Sequence, residues 1–345
     1  MKALVFHEPQ RIAIEQVADP APGPGEALVR VGAAAICHSD IRVYLGQKHA
    51  RPGVIPGHEI AGTIAALGPG TPAGLREGDR VVVCPIVACG SCVFCLSGRR
   101  HRCPERLTLG YQEHGGLAEY VLAPAGIVSL GHLIPVPDDL TIERACITEP
   151  LACVLNSLEA CAVSVGGSLA VIGAGPMGLY HVLLARRMGV TTIVVSEPDE
   201  ARARSARAAG ASEVIDPRSG DLAGTVLERT GGLGADAVVV SAGLPQVLDQ
   251  ALAAVRKQGV INLFAGFPPD TSVPFDPNAV HYSEVRLTGT QNASPEQYRR
   301  VLQLLRRMPE IDGVTTHRFP IDDATQAYDV RLRNEGLKSM VVMAT

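Results

Sequence analysis

The chain has 345 residues, 46% of them apolar, which suits one large core or two ordinary ones, and the usual domain size favours two. Its formal net charge of -4 is spread without blocks, so no basic stripe could neutralise a run of phosphates and nucleic acid is excluded as an expected partner. Residues 1–11 lack the basic-then-apolar order of a secretion signal, and the most apolar later stretch, 168–185, is broken by glycines and Pro176, so no membrane association is expected.

From residue 2 to about 121 the apolar segments are short and alternating, as in Ala27-Leu28-Val29-Arg30-Val31, and turns such as Pro20-Ala21-Pro22-Gly23-Pro24-Gly25 separate them. A β-rich domain of irregular outline is expected. Within it stand Cys37 in Ile36-Cys37-His38-Ser39-Asp40 and the pair His58-Glu59 after Pro56-Gly57. Taken singly, Cys37 reads more readily as a small buried hydrophobe and His58 as a structural histidine. His49, Tyr111 and His114 lie in segments that could reach an active-site cleft, yet each reads more readily as an ordinary loop residue.

Cys89, Cys92, Cys95 and Cys103 follow a C-x2-C-x2-C-x7-C spacing, which lets a compact loop place four thiolates tetrahedrally around one zinc ion. With sulfur in every position such an ion has no open site for substrate, so it is structural. An iron–sulfur cluster is the other chemistry that four thiolates support. Nine cysteines, an odd number with four crowded together, fit reduced thiolates better than a disulfide framework and point to a reducing compartment, the cytoplasm.

Glu149 follows, in Thr148-Glu149-Pro150, and after it the rhythm changes. Apolar strands at 168–172, 192–196, 235–241 and 259–264 alternate with Ala-, Arg- and Leu-rich helical stretches, the pattern of a parallel sheet with crossover helices. The first of these strands runs into Gly173-Ala174-Gly175-Pro176-Met177-Gly178, and a helical pattern follows. The first glycine permits a tight turn, the second lets backbone approach a pyrophosphate, and the third lets the helix pack on the strand. The helix N-terminus then offers unpaired N–H groups to the phosphates.

Nineteen residues beyond Gly178 stands Glu197, whose carboxylate can accept from both hydroxyls of an adenosine ribose and would repel a 2'-phosphate. NAD is therefore expected over NADP. Arg202 is the residue that could reverse this preference by meeting that phosphate; otherwise it stacks near the adenine or pairs with a neighbour. Phe264, Ala265, Gly266 and Thr290 are the remaining expected cofactor contacts. A helix at 295–307, with Arg299 and Arg300 on its solvated face, and an alternating strand at 338–343 look like a return to the first domain.

Cys37, then Gly57-His58-Glu59, the four-cysteine lobe, Glu149-Pro150-Leu151 and Gly173-x-Gly175-x-x-Gly178, in this order, resemble the zinc-dependent medium-chain dehydrogenases. The polyol branch, typified by sorbitol dehydrogenase, is the nearest. The resemblance implies an α/β protein: a GroES-like β-rich catalytic domain at 1–150 and 291–345, with its zinc lobe at about 84–105, and a doubly wound Rossmann domain at 151–290. The active site is expected in the cleft between them.

The resemblance further implies two zinc ions per chain and NAD. Cys37 and His58 would bind the catalytic zinc, and Glu59 and Glu149 would complete the site directly or through water. One thiolate, one imidazole and one carboxylate bring the ion near neutrality, so one carboxylate is expected to be displaced when alcohol binds. Ser39 matches the family's proton relay. Cys146 and Cys153, flanking Glu149, are expected in the core.

The expected reaction interconverts a secondary alcohol of a polyol, cyclitol or sugar derivative with its ketone. Alternatives are an L-threonine-type amino-alcohol dehydrogenase and a non-catalytic NAD-binding member of the superfamily. Departures bear on substrate: His38 replaces a glycine, Arg42 stands where a relay histidine is common, and Val43 and Asn292 replace an aromatic residue and an arginine that touch sorbitol. Bacterial relatives suggest a homotetramer, with a dimer as the other possibility.

Overall fold

A computed structural model describes residues 1–274 and 276–344. The chain divides into one unit formed by Met1–Ala152 with Ala293–Thr345 and a second formed by Cys153–Asn292.

The first unit is built on a sheet whose strands run, side by side, Thr315–Pro320, Lys338–Val342, Ala27–Ala35, Glu59–Leu67, Arg80–Val83 and Leu133–Pro135, with Tyr120–Ala123 also pairing with Ala27–Ala35. The strand Ala27–Ala35 begins by alternating buried and partly exposed positions and ends with Ala33, Ala34 and Ala35 all buried, so its second half lies inside on both faces. Its antiparallel partner Lys338–Val342 pairs Met340 with Ala35 and Val342 with Ala33. The C-terminal segment thus supplies an inner strand of this unit. Ahead of it, the helix Pro295–Leu305 starts with a proline in its first turn and a Ser294/Gln297 capping box. Tyr298, Val301, Leu302 and Leu305 are buried on one face while Arg299 and Arg300 are exposed on the other.

The second unit is a six-stranded parallel sheet in the order Glu213–Ile215, Thr192–Ser196, Ser168–Ile172, Ala235–Val240, Val255–Leu263, Arg286–Gly289. Numbered along the chain this order is 3-2-1-4-5-6, and it reverses between Ser168–Ile172 and Ala235–Val240, where such sheets bind ligands at their carboxyl ends. The inner strands are runs of valine, isoleucine and leucine with Val171, Val194, Val195, Val238 and Val239 each at most 1% exposed, as expected where both faces are covered. The strand expected at 259–264 begins earlier, at Val255. Arg256, Lys257 and Gln258 precede the buried part, and the pairing register shifts between Ala235 and Ala237, so the apolar pattern marks only its inner half.

Among the described residues no helix is long and apolar enough to cross a membrane.

Candidate active site

Cys37 caps the short helix His38–Tyr44, and its N–H donates to Asp40 Oδ2 at 2.9 Å. That bond fixes the turn and leaves the Cys37 sulfur projecting from the helix start. His58 lies where the chain leaves a glycine turn and enters the strand Glu59–Leu67. Gly57, at φ +90°, makes the turn, and the Gly57 and Pro56 carbonyls accept from the N–H groups of Gly116 and Leu117. Two segments far apart in sequence are thereby pinned against each other.

The result brings a sulfur of Cys37, a ring nitrogen of His58 and a carboxylate oxygen of Glu59 within 4.8 Å of one another. His58 and Glu59 are buried. Asp40, itself buried, sits 3.2 Å from His58 Nδ1, so the imidazole is oriented from behind. Glu59 Oε1 accepts from Lys338 Nζ at 2.5 Å, while Glu59 Oε2 is buried with no hydrogen-bond partner. Burial disfavours the charged form of His58, yet Asp40 and Cys37 outweigh it and hold its pKa well above the ordinary value. The pocket therefore favours positive charge at this point. A soft sulfur, an imidazole and an orphaned carboxylate oxygen form a donor set that fits a zinc ion.

Glu149 is buried in the first turn of the helix Thr148–Ala160, and its oxygens are not among the atoms gathered within 4.8 Å. Of the two expected carboxylates, the structure brings only Glu59 directly to Cys37 and His58. Cys146 is fully buried and its thiol donates to the Glu59 carbonyl at 3.2 Å; burial pushes its pKa up, so it is inert core. Cys153 is half-buried.

Ser39 Oγ lies 2.7 Å from Tyr111 Oη and 3.4 Å from His58 Nε2. Tyr111 is 6% exposed, its ring centroid is 5.2 Å from that of His58, and Lys48 Nζ stands 3.6 Å from the ring centre. The expectation that Tyr111 is an ordinary loop residue is therefore corrected: it forms one wall of the cluster. His114 does serve the loop, its Nδ1 accepting from Ile55 N–H at 3.1 Å, and His49 is exposed.

Cys89, Cys92, Cys95 and Cys103 bring their sulfurs within 4.8 Å of one another. Cys89 Sγ accepts from Cys92 N–H at 3.4 Å, and Cys103 Sγ accepts from Cys89 N–H at 3.5 Å. Backbone N–H groups of Ser91 and Cys92 hold the Cys89 thiol down at about 6, whereas burial pushes Cys95 up to about 12. Four sulfurs this close cannot all ionise without a cation, and a tetrahedral zinc ion would supply that charge.

In the second unit the turn after Ser168–Ile172 has Gly173 at φ +96°, and a Cβ on Gly178 would lie 1.9 Å from the Gly173 carbonyl oxygen. A Cβ on Gly175 would meet nothing within 4 Å, so the backbone there faces open space at the start of the helix Pro176–Arg187. Met177 lies in the first turn of that helix. Glu197 is 5% exposed, with Oε2 accepting from Ala174 N–H at 2.6 Å and Oε1 from Asp199 N–H at 2.9 Å. Arg202 lies in the first turn of the helix Glu200–Ala208, its N–H bonded to Asp199 Oδ1 at 2.9 Å. Phe264, Ala265 and Gly266 follow the strand Val255–Leu263, and Thr290 follows Arg286–Gly289. All of these stand at the carboxyl end of the sheet. Asn262 Nδ2 donates to Thr290 Oγ1 at 3.2 Å and to Ser157 Oγ at 3.0 Å, fixing Thr290 from beneath.

Asp40, Lys48 and Lys338 were not singled out from the sequence, and Tyr111 was read as a loop residue. Asp40 had the one available signal, a carboxylate three residues after a candidate thiolate ligand. Lys338 had none, because a lysine opening an alternating strand reads as facing water.

Residues 23–138 match the alcohol dehydrogenase GroES-like domain, and residues 176–307 match the zinc-binding dehydrogenase model. An L-threonine 3-dehydrogenase of Pyrococcus furiosus is 32% identical, covering 96% of this chain and 95% of its own length. A sorbitol dehydrogenase of Halalkalibacterium halodurans is 31% identical, covering 99% of each. Among solved structures, a chain from Sinorhizobium meliloti described as a zinc-binding dehydrogenase bound to NADP superposes with a TM-score of 0.91 at 28% identity, covering 99% of this chain and 98% of that one. With a GroES-like first unit, a doubly wound second unit and full-length relatives of this kind, the chain belongs to the zinc-binding medium-chain alcohol dehydrogenase family.

Proposed function

We propose that the chain is a zinc- and NAD-dependent dehydrogenase that interconverts a secondary alcohol of a polyol, cyclitol or sugar derivative with its ketone. The observation that carries the reading is the convergence of Cys37, His58 and Glu59 beside the Ser39 hydroxyl. Zinc held there by Cys37, His58 and a carboxylate supplies Lewis acidity that lowers the pKa of an alcohol hydroxyl. Ser39 would take the alcohol proton while handing its own hydroxyl proton on towards the nicotinamide ribose, and its 2.7 Å contact with the Tyr111 hydroxyl orients it. Asp40 holds His58 in one orientation, and Lys338 neutralises Glu59. Glu149 acts through water. A bound nicotinamide would supply the hydride acceptor for the carbinol carbon.

A second zinc sits among Cys89, Cys92, Cys95 and Cys103, away from any chemistry. The dinucleotide lies on Gly173, Gly175, Pro176, Met177 and Gly178, with Arg202 beside its adenosine half and Phe264, Ala265, Gly266 and Thr290 lining the carboxyl end of the sheet. Glu197 selects NAD: its carboxylate is anchored to the glycine turn, where it would accept from the ribose diol and repel a 2'-phosphate. Because a structural neighbour carries NADP, both cofactors belong in the assay. The protein works in the cytoplasm, a reading supported by its nine free cysteines, and as a homotetramer, by analogy with bacterial relatives.

Several relatives at 30–32% identity are L-threonine 3-dehydrogenases, which keeps an amino-alcohol substrate as the second reading. A panel of polyols, cyclitols and amino alcohols with NAD or NADP, followed at the absorbance of the reduced cofactor, separates the two. Absence of any secondary-alcohol oxidation by protein loaded with two zinc ions per chain would sink both.

A further inference from the structure

Lys48 lies on the loop after the helix His38–Tyr44, half-buried, with its ammonium 3.6 Å from the centre of the Tyr111 ring. The same ring carries the hydroxyl bonded to Ser39, which in turn lies beside His58. One aromatic side chain therefore links the ammonium to the catalytic cluster. Among the described residues no carboxylate stands within ion-pair distance of Lys48. Asp40, the buried acid of this region, is already engaged by His58 and by the Cys37 N–H.

Burial is the largest influence on the ammonium and depresses its pKa; the charges of Cys37 and Asp40 oppose that, and Arg42 and Arg106 add to it more weakly. A partly desolvated ammonium held over a ring, with no carboxylate among the described residues at ion-pair distance, is costly unless an anion joins it. Plain sugar alcohols carry no such anion.

We infer that Lys48 is a specificity-determining residue that receives an anionic group, a phosphate monoester or a carboxylate, borne by the substrate a few carbon atoms from the carbinol being oxidised. This deepens the proposed function and rests on it. An alcohol whose oxygen sits at Cys37, His58 and Glu59 carries its neighbouring carbons past Tyr111, and an oxyanion at the far end meets the Lys48 ammonium. The contact is a charge-assisted hydrogen bond, formed equally with ground and transition states, so it acts on KM more than on kcat.

The test compares a pentitol, its terminal phosphate monoester and the matching aldonate as substrates for zinc-loaded wild type, Lys48→Met and Lys48→Arg. The wild type should prefer one of the two anions to the neutral pentitol, and which anion wins identifies the group. In Lys48→Met the ratio of kcat/KM for that anion to kcat/KM for the pentitol should fall roughly tenfold to a hundredfold, carried by KM. Lys48→Arg should retain most of the ratio. A wild-type preference for the neutral pentitol, an unchanged ratio in Lys48→Met, or a rise confined to the KM of NAD overturns the inference. Calorimetric titration of the pentitol phosphate and the aldonate into both proteins reads the same contact without turnover. If the wild type oxidises nothing, the proposed function fails, while equal calorimetric binding to wild type and Lys48→Met fails Lys48 alone.

Discussion

The four-cysteine lobe and the Cys37 cluster both gather soft donors, yet they are built in opposite ways. The lobe draws its four sulfurs from one short loop, with a four-residue helix Val93–Leu96 whose Val93 and Leu96 are 69% and 76% exposed. Little apolar surface is buried there, so the proposed metal would hold the loop together. The Cys37 cluster draws Cys37 from a helix start, His58 and Glu59 from a glycine turn and its strand, Tyr111 from a distant loop and Lys338 from the C-terminal strand. Its members are fixed by buried backbone bonds and a sheet, so the scaffold holds the site and the metal is added to it. On the proposed reading, in one region the ion would make the structure; in the other the structure makes a place for the ion.

That contrast can be broken by substitution. Cys95→Ser should cost the most: the lobe loses its ion, zinc falls from the two proposed per chain to one by metal analysis, and residues 89–103 become a site of rapid proteolysis. If the lobe keeps its protease resistance without metal, it is held by packing and the contrast collapses. Lys338→Met removes the partner of a fully buried carboxylate and should destabilise the zinc-free protein by about 3–5 kcal/mol in chemical denaturation. Added zinc should recover part of that loss, because the ion would replace the missing cation; no recovery would place the metal away from Glu59.

Smaller effects sharpen the picture of the cluster as a preformed scaffold. Asp40→Asn keeps the shape but removes the charge behind His58, and should lower zinc affinity or kcat about 10–100-fold. Tyr111→Phe removes one hydrogen bond to Ser39, worth about 1 kcal/mol, and should reduce kcat several-fold with the zinc content unchanged. A larger loss accompanied by lost zinc would mean that Tyr111 holds the scaffold and not the relay.

The same contrast explains how much could be read from the amino-acid order. The lobe was legible because its ligands are neighbours in sequence, and the dinucleotide turn because Gly173, Gly175 and Gly178 each answer a local steric demand next to a strand. The parallel sheet was legible from its valine-rich runs. Cys37, His58 and Glu59 became legible only through resemblance, since nothing local ties residue 37 to residue 58. Tyr111 and Lys338 were not legible, because their meaning comes from strand pairing and loop packing across the whole first unit. The early start of the strand Val255–Leu263 was missed because Arg256, Lys257 and Gln258 carry no apolar signal.

The ion pair between Glu59 and Lys338 joins residues 279 positions apart. At the usual pace of protein synthesis the carboxylate leaves the ribosome on the order of tens of seconds before the ammonium exists. The four cysteines, by contrast, emerge almost together. A nascent chain can therefore load its lobe early, while the site of chemistry stays charged and open until the final strand threads into the sheet, so an unfinished polypeptide carries no working catalyst.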